Sequence, residues 1–109
     1  MLGHILDAER VFAYRIMSIA RGEKVALPGF DQDIYVEKGN FNDRDFDSMI
    51  TEFKGSRMAN QALFESFTDQ ELGREGNANG TMIQADVVIY ILVGHLDHHV
   101  RVISEKYGL

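Results

Sequence analysis

Three stretches of helical periodicity constrain this chain more than any other feature. From about Leu2 to Arg21, the residues Ile5, Ala8, Val11, Phe12, Ile16 and Ile19 recur at three- and four-residue spacing, which gathers them on one face of a helix. Arg21-Gly22 then supplies a basic last turn and a stop. From about Asp45 to Phe67 the stripe is Phe46, Met49, Ile50, Phe53, Ala59, Leu63, Phe64 and Phe67. Asn42, Asp43 and Asp45 precede it with side-chain oxygens suited to an N-cap. From about Met82 to Tyr107 the stripe is Val88, Ile91, Leu92, Val102 and Ile103, closing on Gly108. The Asp86–Leu96 stretch is apolar enough for a strand, but one helical phase persists through it for about six turns, so a helix is expected. The only proline, Pro28, lies outside all three segments. The predicted fold is therefore all-α, an up-down helical bundle with three long helices, and residues 1–109 are expected to form a single domain.

The connections differ in character. Glu23–Phe41 is long for a compact domain, and long connections often carry function. Within it, Leu27-Pro28-Gly29-Phe30-Asp31 reads as a turn. Thr68–Thr81 contains Gly73, Gly76, Asn77, Asn79 and Gly80, which is turn chemistry throughout. The chain has no internal repeat and no low-complexity segment.

Composition narrows the function classes. Hydrophobic residues make up 45% and charged residues 26%, a balance that can bury a core and excludes a disordered chain. Cysteine is absent, so there are no thiolate ligands, disulfides or cysteine nucleophiles, and a metal would have to rely on histidine, carboxylate and water. A net charge of −6 repels a phosphate backbone, and no basic cluster offsets it, so nucleic acid is not an expected partner. The start of the sequence lacks a basic leader-like region, and no apolar run approaches the roughly 20 residues that cross a bilayer. No membrane association and a cytoplasmic location are expected.

The histidines carry the chemistry. With about 100° between successive helical residues, Val88, Ile91, Leu92, His99 and Val102 fall within about 60° of His95. His95 and His99 thus share the apolar face one turn apart, His98 lies at its edge, and Asp97 points to solvent. A lone histidine on such a face is usually a satisfied core residue. Two in register leave several ring nitrogens to be partnered, and neutral imidazole is a good metal ligand. For the pair alone, metal binding and structural burial stand level. His4 shares its face with Ala8, Val11 and Phe12, so it too is expected to look into the bundle. Helices packed about 8–10 Å apart would let three imidazoles converge on one ion, leaving an open position for Lewis-acid chemistry. A closed structural site and a pH-sensitive cluster are the alternatives.

Gly3-His4-Ile5-Leu6-Asp7-Ala8-Glu9-Arg10-Val11-Phe12-Ala13-Tyr14-Arg15, Leu27-Pro28-Gly29-Phe30-Asp31-Gln32-Asp33 and Gly94-His95-Leu96-Asp97-His98-His99 together resemble the DinB-like (YfiT-like) superfamily. The resemblance implies a four-helix bundle, commonly dimeric, with a divalent metal on one histidine of the second helix and two of the last. His4, His95 and His99 match those positions, and His98 matches none. Zinc is the leading metal, with nickel, iron or manganese as alternatives. Characterised relatives include thiol S-transferases, a mycothiol-dependent isomerase and proteins described as metal-dependent hydrolases. The implied function is thus a metal-dependent thiol S-transferase or hydrolase acting on a small molecule or thiol, with its catalytic residues unassigned. The alternative is a non-catalytic helical dimer with a structural metal site. Relative to the family the domain is N-terminally short, since a further helix would precede His4. Its absence would leave an apolar groove, which suggests a homodimer.

Six other side chains bear on function. Asp7 and Glu9 lie near His4 and could orient an imidazole, although solvated helix-face charges are the plainer reading. Arg15, about 16 Å along the helix from His4, is too distant to act as a ligand, and pairing with Asp31 or Asp33 is expected. Tyr14, Tyr35 and Tyr90 could donate to a substrate oxygen, but no sequence feature selects one of them.

Overall fold

The computed structural model describes residues 2–107, and the architecture is all-α with one small hairpin. Three long helices dominate: α1 (Leu2–Ala20), α3 (Phe46–Glu65) and α5 (Ala85–Tyr107). Two short helices, α2 (Gln32–Lys38) and α4 (Asp69–Leu72), lie in the connections, with a single 3-10 turn at Phe41–Asp43. The long helices agree with the periodicity to within a few residues. The proposed closure at Gly108, and the stripe positions Val102 and Ile103, lie outside the residues and side chains described.

Helix α1 is the central strut, with α3 and α5 both packed against it. Ile5, Leu6, Ile16 and Ile19 of α1 are buried with Ala85, Val88, Leu92 and Leu96 of α5, and Met49 and Phe67 add the α3 side. Burying a large aliphatic side chain stabilises by about 1.5–3 kcal/mol, so this one cluster holds the bundle together. The stripe of α5 needs a correction. Leu96 is fully buried, whereas Ile91 is 43% exposed. The inward face is centred between Leu92 and Leu96, about 80° round the helix from His95. His95 and His99 therefore sit towards the edge of the core. On α3, Phe46 and Ala59 are exposed as well, because the main packing of α3 is against α1 and needs a narrower stripe.

The connections hold more structure than their turn residues suggest. Asp31 caps α2, accepting hydrogen bonds from the backbone N–H groups of Asp33 and Ile34 at 3.0 and 3.2 Å. Asp45 caps α3 through the N–H of Ser48 at 3.1 Å. Thr68 and Glu71 form a reciprocal capping box on α4. The segment expected to be turn chemistry throughout is largely an antiparallel hairpin, β1 (Glu75–Ala78) with β2 (Thr81–Gln84). Its two-residue loop is Asn79-Gly80, with φ of 53° and 84°, the paired left-handed geometry that matches strand twist. β2 also occupies the positions assigned to the start of the third helix. Gly76 lies so close to Ile19 that a Cβ there would stand 2.7 Å from its side chain, which seats the hairpin on α1. Leu27 bridges the hairpin through bonds to Asn77 and Asn79 at 2.8 and 2.9 Å.

Candidate metal centre

The start of α1 and the middle of α5 bring His4, His95 and His99 together. The Nε2 atoms of His95 and His99 are 3.0 Å apart, as the one-turn spacing on a helix allows. The His4 ring stands 5.9 Å from that of His95 and 5.6 Å from that of His99, edge-on to both. One ligating nitrogen from each of the three lies within 4.8 Å of the other two. All three side chains are half-buried, and fully buried Leu96 and Leu92 belong to the same helix as the pair.

The donor set suits a divalent ion. Two nitrogens held about 2.1 Å from a tetrahedral zinc stand about 3.4 Å apart, and the separations of 3.0 Å to at most 4.8 Å bracket that value. Burial, followed by repulsion from His95, lowers the His4 pKa below its ordinary 6.5. Burial, then His95 and His4, lowers that of His99. Both are therefore neutral at physiological pH, the state in which imidazole ligates. The Nδ1 atoms of His95 and His99 are buried without a partner among the described residues. A ligating histidine usually fixes its other nitrogen with a carboxylate or carbonyl, so orientation here rests on packing. Of the carboxylates near His4, Asp7 and then Asp33 raise its pKa, and the pKa of Asp7 is itself raised, chiefly by burial.

A cavity of about 340 Å³ opens beside His4, lined also by Glu37, Asn40, Asn42 and Asp43. These residues come from α2 and the 3-10 turn, within and just after the long connection. Phe41 holds this segment on α1. A Cβ at Gly3 or at Gly39 would overlap its ring, so both glycines are what let Phe41 pack so closely. The chain enters the 3-10 turn through Asn40 at φ 54°, a left-handed conformation that asparagine tolerates better than most residues.

The other candidates separate clearly. His98 is exposed, with its ring 5.6 Å from that of His99. Arg15 is buried and donates from Nη2 to the Pro28 carbonyl at 2.9 Å. Its guanidinium lies 5.5 Å from the Phe12 ring centre and 5.9 Å from that of Phe30. The expected pairing with Asp31 or Asp33 does not occur, since Asp31 is committed to its cap and the turn presents a carbonyl instead. Glu9 is 1% exposed, contrary to the solvated reading. Its side chain faces the gap between α3 and α5, and Asn60 of α3 donates to it at 3.0 Å. Nothing in the sequence pairs Glu9 with Asn60, 51 residues away. Tyr14, Tyr35 and Tyr90 are exposed, and none lines the cavity at His4.

With this geometry in place, the sequence matches the family model of the DinB superfamily over residues 1–103. The chain belongs to the DinB superfamily. This DinB-like chain matches no curated protein and no solved structure. It contains no helix long and apolar enough to cross a membrane among its described residues.

Proposed function

We propose that this DinB-like chain binds a divalent metal, zinc first, on His4, His95 and His99, and acts as a metal-dependent thiol S-transferase or hydrolase on a small molecule. The observation that carries this reading is the convergence of three ring nitrogens within 4.8 Å of one another. A divalent ion, when bound, supplies Lewis acidity. The chain's own contribution is to keep His4 and His99 neutral by burial and to leave a cavity open beside His4. Asn40 and Asn42 offer amide donors and acceptors that would orient a polar small molecule there. Asp7, its pKa raised by burial, holds a proton more readily than an exposed aspartate does. The domain, its cytoplasmic location and a homodimeric state form part of the same reading.

A second reading keeps the metal but gives it a structural role in a non-catalytic dimer. It is favoured by Val87, Tyr90 and Ile91, which leave an exposed apolar strip on the outer side of α5 of the kind that marks interaction sites.

Metal content after purification without a histidine tag or nickel resin tests both readings. The expected result is about one equivalent per chain, lost in His95→Ala and His99→Ala and retained in His98→Ala. A folded protein that emerges metal-free from zinc-supplemented medium would overturn both. Assays with low-molecular-weight thiols and with simple esters or amides then separate enzyme from structural site.

A further inference from the structure

Glu9 is the most deeply buried ionisable group among the described residues, at 1% exposure. Its Oε1 accepts a hydrogen bond from Asn60 Nδ2 at 3.0 Å, while its Oε2 is buried with no partner. The ion pairs of the described residues use Glu52 and Glu71 and leave Glu9 aside. A buried carboxylate without a cation is costly, and the cost falls sharply when a hydrogen-bonded cation joins it.

Glu9 lies on the floor of a groove of about 470 Å³ formed where α3 and α5 flank α1 without closing on each other. The walls are Phe64, Leu72, Ile89, Leu92 and Val93. Around them the charges are unbalanced, with Glu9, Glu65 and Asp86 set against Arg57 alone. The α3 wall runs from Arg57 to Glu65 and the α5 wall from Asp86 to Val93, about 12 Å of helix on each side. None of the clustered histidines lines this groove.

An apolar trough with an unpartnered carboxylate on its floor and an acidic rim selects a cation on an apolar body. A second copy of the chain, with its net charge of −6, brings the wrong sign to this rim. The volume falls within the range of small-molecule sites, about 300–1,000 Å³. We propose that the groove between α3 and α5 binds a small primary amine, its ammonium on Glu9 and its apolar body along Phe64, Ile89 and Val93.

The test is an amide-resolved NMR titration of the untagged full chain with hexylamine, 1-hexanol and hexanoate at neutral pH. Hexylamine is expected to give saturable shifts confined to α1, α3 and α5 around Glu9. Hexanol should bind at least about tenfold more weakly and hexanoate not measurably, as a tenfold change corresponds to about 1.4 kcal/mol for the ionic contact. Glu9→Gln should remove the preference for amine over alcohol. Asp86→Asn, at the exposed rim, should weaken hexylamine by a smaller factor and keeps the test alive where Glu9→Gln does not fold. Equal binding of amine and alcohol, an unchanged preference in Glu9→Gln, or no saturable binding would each overturn the proposal.

Discussion

Two polar clusters share helix α1, and they solve the problem of burial in opposite ways. At its start, half-buried His4 meets His95 and His99, and burial favours the neutral form of His4 and His99. Five residues on, about 7.5 Å along the axis, Glu9 is fully buried with one neutral hydrogen bond and one unpartnered oxygen. Imidazole discards its charge readily near physiological pH, whereas a buried carboxyl group is best completed by a hydrogen-bonded cation. The histidine end is thus suited to a metal, and the Glu9 end to a positively charged group. One helix presents two kinds of incomplete coordination.

Perturbing the apolar frame that both clusters share should have the largest effect. Leu96→Ala empties a fully buried position beside His95, and urea denaturation should show a loss of about 2–5 kcal/mol. A loss below about 1 kcal/mol would mean that the α1–α5 seam does not hold the histidine pair. Glu9→Met should act in the other direction, raising stability by about 1–3 kcal/mol because it removes a buried carboxylate in favour of an apolar side chain of similar length. Destabilisation by that substitution would show that Glu9 is already satisfied, and the contrast between the two clusters would fail.

A third, smaller effect concerns pH in metal-free protein. Burial and mutual repulsion place the folded-state pKa of His4 and His99 below the unfolded value of 6.5. The unfolded chain then binds more protons near that value, so stability should rise with pH through it and fall as pH drops below it. Thermal melts of protein treated with chelator between pH 5 and 8 are the measurement. His4→Gln should flatten the dependence, and an unaltered slope in that variant would remove the titration from this cluster. The smallest effect is expected at a surface ion pair that belongs to neither cluster. Glu52 accepts from Arg10 of α1 and from Arg44 at 2.7 Å. Despite the opposing effect of burial, these two guanidinium groups hold its carboxyl below the usual range. Glu52→Gln should cost about 1 kcal/mol or less by denaturant titration, with the wild-type advantage present above the ordinary value of 4.5 and lost as the pH falls through the lowered folded value.

Legibility in the sequence followed the range of the interaction. His95 and His99 were readable because a helix converts a four-residue spacing into proximity. His4 could be placed on an inward face, and the family resemblance then joined it to the pair. The hairpin carried a usable local signal in Asn79-Gly80, the dipeptide that best accommodates two successive left-handed residues, but the glycines and asparagines around it read equally as loop. The Asp31 cap on α2 is also a local feature, but Leu27–Asp31 reads as a turn and no helix is expected after it. The burial of Glu9 was not, because its partner Asn60 and its surrounding walls come from two other helices.

The sequence by itself determined the three long helices and the one-turn spacing of His95 and His99, since both depend on a period internal to a single element. Only the tertiary structure decided which edge of α5 faces inward, how near His4 comes to the pair, that Arg15 binds the Pro28 carbonyl, and that Glu9 is enclosed. Those outcomes turn on how helices rotate and settle against one another, where packing between distant segments outweighs any local pattern.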